Sequence, residues 1–351
     1  MNVLLTGAEG YIGSVLGPAL IERGYNVVGL DTGYYRDGCL YDPTRTLPRM
    51  INKDIRHVVK EDLKGFDAVV HLAELSNDPL GQHNPGVTYR INHLGTVALA
   101  RLCKAAGVSR FVYTSSCSVY GVASTGPVNE ETPTNPQTAY AECKVRVERD
   151  VSALASDDFS PTFLRNATAY GASPRMRFDI VLNNLAGLAW TTKEIRMTSD
   201  GTPWRPLVHV LDICEAIACC LEAPREVVRG EILNVGDNNQ NYQVKDIAEI
   251  VARAFPGCSL ELGSSGGDNR SYRVSFDKIR KLLPKFRCRR DAACGAEELR
   301  DVFDRIRMSR VDFEFRAFTR LKQLQYLIAT GQLDAEFFWT APSGQGRQVR
   351  A

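Results

Sequence analysis

One short stretch near the start of the chain constrains its fold more than any other. An apolar, strand-like run over residues 3–6 passes directly into Gly7-Ala8-Glu9-Gly10-Tyr11-Ile12-Gly13. An apolar pattern of helical spacing follows over residues 11–22. Glycines three apart between a strand and a helix allow a tight turn and let backbone amides come close to an anion. The helix directs the positive end of its dipole at the same point. Asp31 closes the next apolar run and lies 31 − 13 = 18 residues past the last glycine. An acidic side chain meets a ribose 2′-hydroxyl at about 20 residues in such units. The combination reads as a dinucleotide site. An acid that accepts from a 2′-hydroxyl and repels a 2′-phosphate favours NAD over NADP. Glu9 suits a pyrophosphate loop only if its carboxylate points into solvent.

The rest of the first half continues this rhythm. Residues 26–31, 68–73, 110–116 and 161–166 are short and β-rich, with a weaker strand near 50–54. Residues 86–106 and 138–155 repeat apolar positions at helical spacing. Alternating strands and helices predict an α/β fold: a Rossmann-type, doubly wound parallel sheet. Pro18, inside the first helix, predicts a kink or a restart. After Asn166 the elements shorten, with strands at 195–198, 232–235, 260–262 and 272–274 and helices at 211–221, 244–254 and 297–305. These predict a smaller C-terminal α/β substrate lobe over 169–305, interleaved with a dinucleotide-binding body over 1–168. Residues 263–267 read as a loop. A tail over 306–351, of unknown role, carries a helical pattern from Phe313 to Trp339 that stops at Gly331 and is expected to pack on the small lobe.

Composition excludes several classes. At 44% hydrophobic and 24% charged residues, the chain has ample apolar surface for a core, so general disorder is ruled out. Lys and Arg number 43 against 41 Asp and Glu, a net +2, which argues against binding nucleic acid by charge. No apolar run is long enough to span a bilayer, and no basic segment precedes an apolar one at the start, so no membrane partner is expected. The ten cysteines form no Cys-x-x-Cys pair and read as reduced thiols in a cytoplasmic protein. The five histidines, at 57, 71, 83, 93 and 209, make no metal-ligand spacing, so no metal is expected.

Two further positions carry chemistry. Tyr140 and Lys144, at the start of a helix, lie four apart and share one face. A phenol titrates near pH 10, and a neighbouring ammonium favours its phenolate. Thr114-Ser115-Ser116 ends a strand, where ligands bind in open α/β sheets, so Ser116 can hydrogen-bond a reacting oxygen.

With these residues, the chain resembles the extended short-chain dehydrogenase/reductase family, and within it the NAD-dependent nucleotide-sugar epimerases and dehydratases of the UDP-galactose 4-epimerase type. The resemblance covers about residues 1–305. It is carried by the glycine loop, Asp31, Asp54-Ile55, His71-Leu72-Ala73, Asn92, Thr114-Ser115-Ser116-Cys117-Ser118-Val119-Tyr120-Gly121, the Tyr140/Lys144 pair and the run from Arg205 to Asp212.

The resemblance implies roles. Gly7, Gly10, Tyr11, Ile12 and Gly13 hold the pyrophosphate, and Asp31 the adenosine ribose. Asp54 and Ile55 flank the adenine, Leu72 and Ala73 line the site, and Asn92 supports it. Thr114, Tyr140, Lys144, Asn166 and Ala167 lie toward the nicotinamide. Ser116, Tyr140 and Lys144 are catalytic. Asn183 and Arg205 bind the diphosphate of the sugar nucleotide. The family's late diphosphate-binding arginine is displaced here, with Arg270 or Arg273 as substitutes. A lysine that touches the sugar in the galactose epimerases is replaced by Ser76, beside Asn77.

The implied activity is epimerisation of a nucleotide-diphosphate sugar, at C4, through a transient keto-sugar, by a homodimer. Dehydratases of the family carry Asp-Glu after the catalytic hydroxyl. The neutral Cys117-Ser118 found here disfavours that chemistry. A 4-ketosugar reductase or a nucleotide-sugar dehydratase of the same family, and a non-catalytic, redox-sensing dinucleotide binder, are the alternatives.

Overall fold

The computed structural model describes residues 1–264 and 270–340. Seven strands build its main sheet: β1 (Asn2–Thr6), β2 (Asn26–Asp31), β3 (Arg49–Asn52), β4 (Ala68–His71), β5 (Arg110–Ser116), β6 (Ser160–Asn166) and β7 (Ile232–Val235). All pair in parallel, in the order β7-β6-β5-β4-β1-β2-β3. Val3, Leu4 and Leu5 of β1 and Val69 and Val70 of β4 are fully buried, as expected where helices cover both faces of a parallel sheet. The strand order reverses between β1 and β4, which opens a crevice at their carboxyl ends. His71 ties the two strands there. Its Nδ1 lies 2.6 Å from Thr6 Oγ1 and its Nε2 2.8 Å from Thr96 Oγ1. Burial, reinforced by the nearby Lys144, pushes its pKa down to about 3, so it braces the crevice as a neutral ring.

The helices follow the sequence pattern with instructive departures. α1 (Gly13–Glu22) runs through Pro18 without restarting. The expected helix over 86–106 is divided: a π-helical segment, Tyr89–Gly95, precedes α2 (Thr96–Ala106). α3 (Ala139–Ser152) is capped by Thr138, whose Oγ1 accepts from the Ala141 amide at 3.2 Å.

Strand β7, read from sequence as part of the small lobe, instead forms the edge of the main sheet beside β6. Smaller sheets build the lobe, one joining Thr168–Tyr170, Trp204–His209 and Asn241–Gln243. Residues 265–267 of the expected loop lie outside the described residues.

The tail departs most from expectation. Phe313 and Phe318 pack on Phe178 of the lobe, with ring centroids 4.8 and 5.7 Å away. α4 (Arg320–Ala329) then crosses to the main sheet, where Leu324, Leu327, Leu333 and Phe337 join the core that contains Leu4, Val28 and Leu30. Trp339 Nε1 donates to the Thr32 carbonyl at 2.8 Å. A helical stripe announces that a face is apolar, not which partner covers it. Among the described residues, no helix is long and apolar enough to cross a membrane.

Candidate active site

A cleft of about 580 Å³ lies at the carboxyl ends of β1, β4, β5 and β6, closed on its far side by the lobe. The glycine loop forms one wall. Gly7 has φ +73°, and a Cβ there would stand 2.8 Å from the Ala73 nitrogen. A Cβ on Gly13 would stand 2.1 Å from the Gly7 carbonyl oxygen. The backbone is thus packed against itself, and Gly7, Gly10 and Gly13 line the cleft beside Tyr11 and Ile12.

Asp31 accepts from the Gly33 amide at 2.8 Å and the Glu9 amide at 3.0 Å. Burial still pushes its carboxyl above the ordinary range. Such a group gains from further donors, which ribose hydroxyls can supply. The Glu9 carboxylate is taken up by Arg36, at 2.9 Å, which removes the anomaly seen in the sequence. Asp54 caps the turn Ile55–His57 through the Arg56 amide and also grips the Arg56 guanidinium, at 2.7 Å.

At the opposite wall, Ser116 ends β5 level with Asn166 of β6. Asn166 Oδ1 and Ser118 Oγ are buried without a partner among the described residues, and both side chains line the cleft. Leu72, Ala73, Thr114 and Ala167 complete this part of the lining. An unfilled acceptor, an unfilled hydroxyl, a glycine cradle and a buried acid together fit a dinucleotide.

α3 brings Tyr140 and Lys144 to the same place. Tyr140 lines the cleft together with Ser116, whose hydroxyl favours the Tyr140 phenolate. The Lys144 ammonium lies 5.3 Å from the centre of the Tyr140 ring and donates to the Thr114 carbonyl at 2.5 Å. It also donates to Glu74, a residue that sequence reasoning passed over. Both partners of this ion pair have side chains only 3% exposed. The expected pull of the Lys144 ammonium on the phenol is present, but it is outweighed. Burial pushes the phenol up, Lys144 pulls it down, and Glu74 and Asp78 push it up again, so the net direction is upward. The available signal was an acid three residues beyond His71, in an otherwise apolar strand-end loop.

The lobe side of the cleft is built from ion pairs. Asn77 caps the helix Asp78–His83 and donates to Asp179 at 2.7 Å. Arg177 grips Asp179 at 2.8 and 3.1 Å and reaches the Ser76 carbonyl at 3.3 Å. Arg205 lies over the Tyr272 ring, 5.8 Å from its centre, and donates to the Arg270 carbonyl; Arg270 in turn pairs with Asp78. Arg177, Asp179, Arg205, Arg270, Tyr272 and the tail residue Arg320 all line the cleft. Arg320 is buried, stacks 4.2 Å from the Tyr35 ring, and is held down to about pH 10 by burial and by Arg177.

Three site residues named from the sequence do not line the cleft, and of the two substitute arginines it is Arg273 that stays outside, over the Trp204 ring at 5.2 Å. Asn92, on the π-helical segment, accepts from the Leu75 amide at 2.9 Å and donates to its carbonyl at 3.0 Å, so it braces the loop after β4 from behind. Asn183 is fully buried, with its Oδ1 on the Gly171 amide at 3.1 Å and its Nδ2 on the Tyr11 hydroxyl at 3.3 Å. It positions Tyr11, and its neighbour Asn184 faces the cleft instead. One residue along a helix turns the side chain by about 100°, a phase that the sequence alone leaves open. Cys117 is also buried, its Sγ against the Arg165 carbonyl at 3.2 Å. Burial holds its thiol protonated, which removes it as an acid/base.

Comparison with known proteins accords with this geometry. A model of the NAD dependent epimerase/dehydratase family matches residues 3–236. The UDP-glucose 4-epimerase of Corynebacterium glutamicum is 31% identical over 268 residues, covering 71% of this chain and 79% of the relative. That of Lactobacillus helveticus is 30% identical over 303 residues, covering 81% and 91%. Among solved structures, MoeE5 in complex with UDP-glucuronic acid and NAD aligns with a TM-score of 0.75 at 29% identity, over 87% of this chain and 99% of the other. UDP-glucuronic acid 4-epimerase from Bacillus cereus, in complex with UDP-glucuronic acid and NAD, aligns with a TM-score of 0.73 at 25% identity, over 87% and 100%.

Proposed function

The chain belongs to the NAD dependent epimerase/dehydratase family, and from that premise we propose that it inverts C4 of a UDP-hexose. That it is an NAD-dependent nucleotide-sugar epimerase rests on the relatives it matches. The carbon and the nucleotide are our reading. The observation that carries it is the Ser116–Tyr140–Lys144 set facing the glycine loop across one cleft.

Gly7, Gly10, Tyr11, Ile12 and Gly13 would hold the pyrophosphate of NAD, Asp31 its adenosine ribose, and Asp54 and Ile55 the adenine. Asn166 would offer its unfilled acceptor near the reacting end. NAD, when bound, supplies a place for the sugar's hydride and gives it back. Tyr140 takes the proton of the sugar hydroxyl and later returns it, while the Ser116 hydroxyl orients the sugar oxygen. Lys144 holds the positive charge beside both. Arg205 and Arg270 grip the diphosphate, so the hexose can turn over while its nucleotide stays anchored. Ser76 and Asn77 border the space in which it turns. Residues 1–168 would thus serve the dinucleotide and 169–305 the sugar nucleotide. Elimination of water lacks its groups here, because Cys117 is a buried neutral thiol and Ser118 a hydroxyl.

Purified protein should carry NAD and interconvert a UDP-hexose pair with no added cofactor. Incubation with UDP-, dTDP-, GDP- and CDP-sugars, followed by separation of isomers and mass spectrometry, tests this. Net consumption of NADH or NADPH would replace the epimerase with a ketosugar reductase. Tyr140→Phe should lower kcat by about 10²–10⁴-fold with the fold intact. No effect on turnover would favour the redox-sensing binder.

The helices of residues 86–106 and 138–155 are the proposed face of a homodimer in the cytoplasm. Leu94, 58% exposed on the first of them, suits such a contact. A monomeric mass by light scattering would overturn the dimer.

A further inference from the structure

We propose that Glu74 is a positioning residue for this reaction: it pins and neutralises the Lys144 ammonium, so that Tyr140 keeps its proton until another positive charge enters the cleft. The inference rests on the reading of Tyr140 as the base, and it deepens that reading.

The geometry is specific. Glu74 stands three residues beyond the end of β4, in the same loop as Leu72 and Ala73, which line the dinucleotide wall. One carboxylate oxygen takes the Lys144 ammonium, and the other takes the Tyr113 hydroxyl at 2.6 Å. The ammonium is further fixed by the Thr114 carbonyl and by the face of the Tyr113 ring, 4.6 Å below it. Every group in this cluster has a partner, which is the condition under which a buried ion pair persists. A lone ammonium 5.3 Å from the Tyr140 ring would favour phenolate strongly. An ammonium with a carboxylate in contact presents a dipole instead, whose pull on the phenol is much weaker.

The surrounding charges do not restore that pull. From β4, His71 is a neutral ring. Asp78, from the loop that follows, is paired with Arg270. From β5, Tyr113 is a buried phenol held protonated by its surroundings. On α3, Glu148 is neutralised by Arg165 of β6, and the Cys143 thiol is pushed up to about 12 by burial. From the lobe, Arg177 is paired with Asp179. The balance between Lys144 and Glu74 therefore sets the field at Tyr140.

The test reads Tyr140 directly in cofactor-free protein labelled with [ζ-13C]tyrosine, its signal assigned by loss in Tyr140→Phe. Glu74→Gln should lower the Tyr140 titration midpoint by about one pH unit or more, tenfold more phenolate at a given pH below it. Glu74→Asp, which keeps the charge, should stay much closer to wild type. The acid limb of the epimerisation pH profile should move down in Glu74→Gln by a similar amount, because the active form is the phenolate. Should Glu74→Gln fail to fold, Glu74→Ala combined with Tyr113→Phe, which leaves no hydroxyl stranded, carries the same expectation. A folded variant whose Tyr140 midpoint does not move overturns the role of Glu74, whatever the wild type does to sugars. A wild type inert toward the sugar panel overturns the epimerase reading, and the titration still decides the charge balance independently.

Discussion

At the dinucleotide end of the cleft, the walls are backbone. The glycine loop, the Leu72–Ala73 segment and the ends of β1, β2 and β4 lie side by side because a parallel sheet puts them there. At the lobe end, which we assign to the sugar, the walls are side chains from distant parts of the chain, held by charge. Arg270 and Asp78 are 192 residues apart, the Arg320 amide and Asp179 141, and Asn77 and Asp179 102. The first construction fixes one shape and leaves no room for a Cβ. The second can be retuned one residue at a time without disturbing the sheet, which is where differences in sugar and nucleotide among related enzymes can accumulate. The two ends should therefore fail differently.

The largest effect is expected at the backbone end. In Gly13→Val the new Cβ would start 2.1 Å from the Gly7 carbonyl oxygen and 2.7 Å from Ala8 Cα, both backbone atoms that cannot swing aside. Overpacking of this kind costs about 3 kcal/mol, and the displaced amides should no longer hold a pyrophosphate. Thermal unfolding and chromatography of nucleotide released on denaturation check both parts. A variant that still co-purifies with NAD would show that the loop is not the rigid element this contrast requires.

That difference in construction also explains what sequence could reveal. The glycine spacing, Asp31, Ser116 and the Tyr140/Lys144 pair are local patterns whose geometry follows from strand and helix periods, and all were legible. So were six of the seven sheet strands as members of one sheet. β7 was not, because a short apolar run carries no sign of which sheet edge it joins. Arg177, Asp179 and Arg320 had no local signature; each matters through a partner far along the chain. Asn183 was misread by the phase of one helix residue. Glu74 stood in plain view, but its meaning depends on Lys144, 70 residues later.

A middle-sized effect belongs to Asp179. Burial pushes its carboxyl up, but the bidentate bond from Arg177, with Arg320 close by, holds it below the ordinary range. A carboxylate depressed in the folded state stabilises the protein above its unfolded pKa, and that contribution is lost as pH falls through the folded value. Stability at the sugar end should therefore be intact at neutral pH and decline below about pH 4. Asp179→Asn keeps the shape but loses the charge-assisted bonds to the buried Arg177 and should cost about 2–3 kcal/mol at pH 7, with a shallower acid decline than wild type. Thermal melts from pH 3 to 7 decide it. Equal pH slopes in the two proteins would break the link between this ion pair and lobe stability.

The smallest effect is the most diagnostic of retuning. Arg205 reaches the cleft from the strand Trp204–His209, one strand of a lobe sheet that does not include the glycine loop. If it grips only the diphosphate, it touches ground state and transition state alike, because the phosphates do not change charge while the sugar reacts. Loss of uniform binding raises KM and leaves kcat in place. A charge-assisted hydrogen bond at such a site contributes about 1.4 kcal/mol, or tenfold. Arg205→Ala should accordingly raise KM about tenfold, with kcat within about twofold and the amount of co-purified NAD unchanged. Equal falls in kcat and kcat/KM would mean that Arg205 acts on the turning hexose itself. The sugar end would then take part in the chemistry, and the division between a rigid reactive end and an adjustable anchoring end would fail.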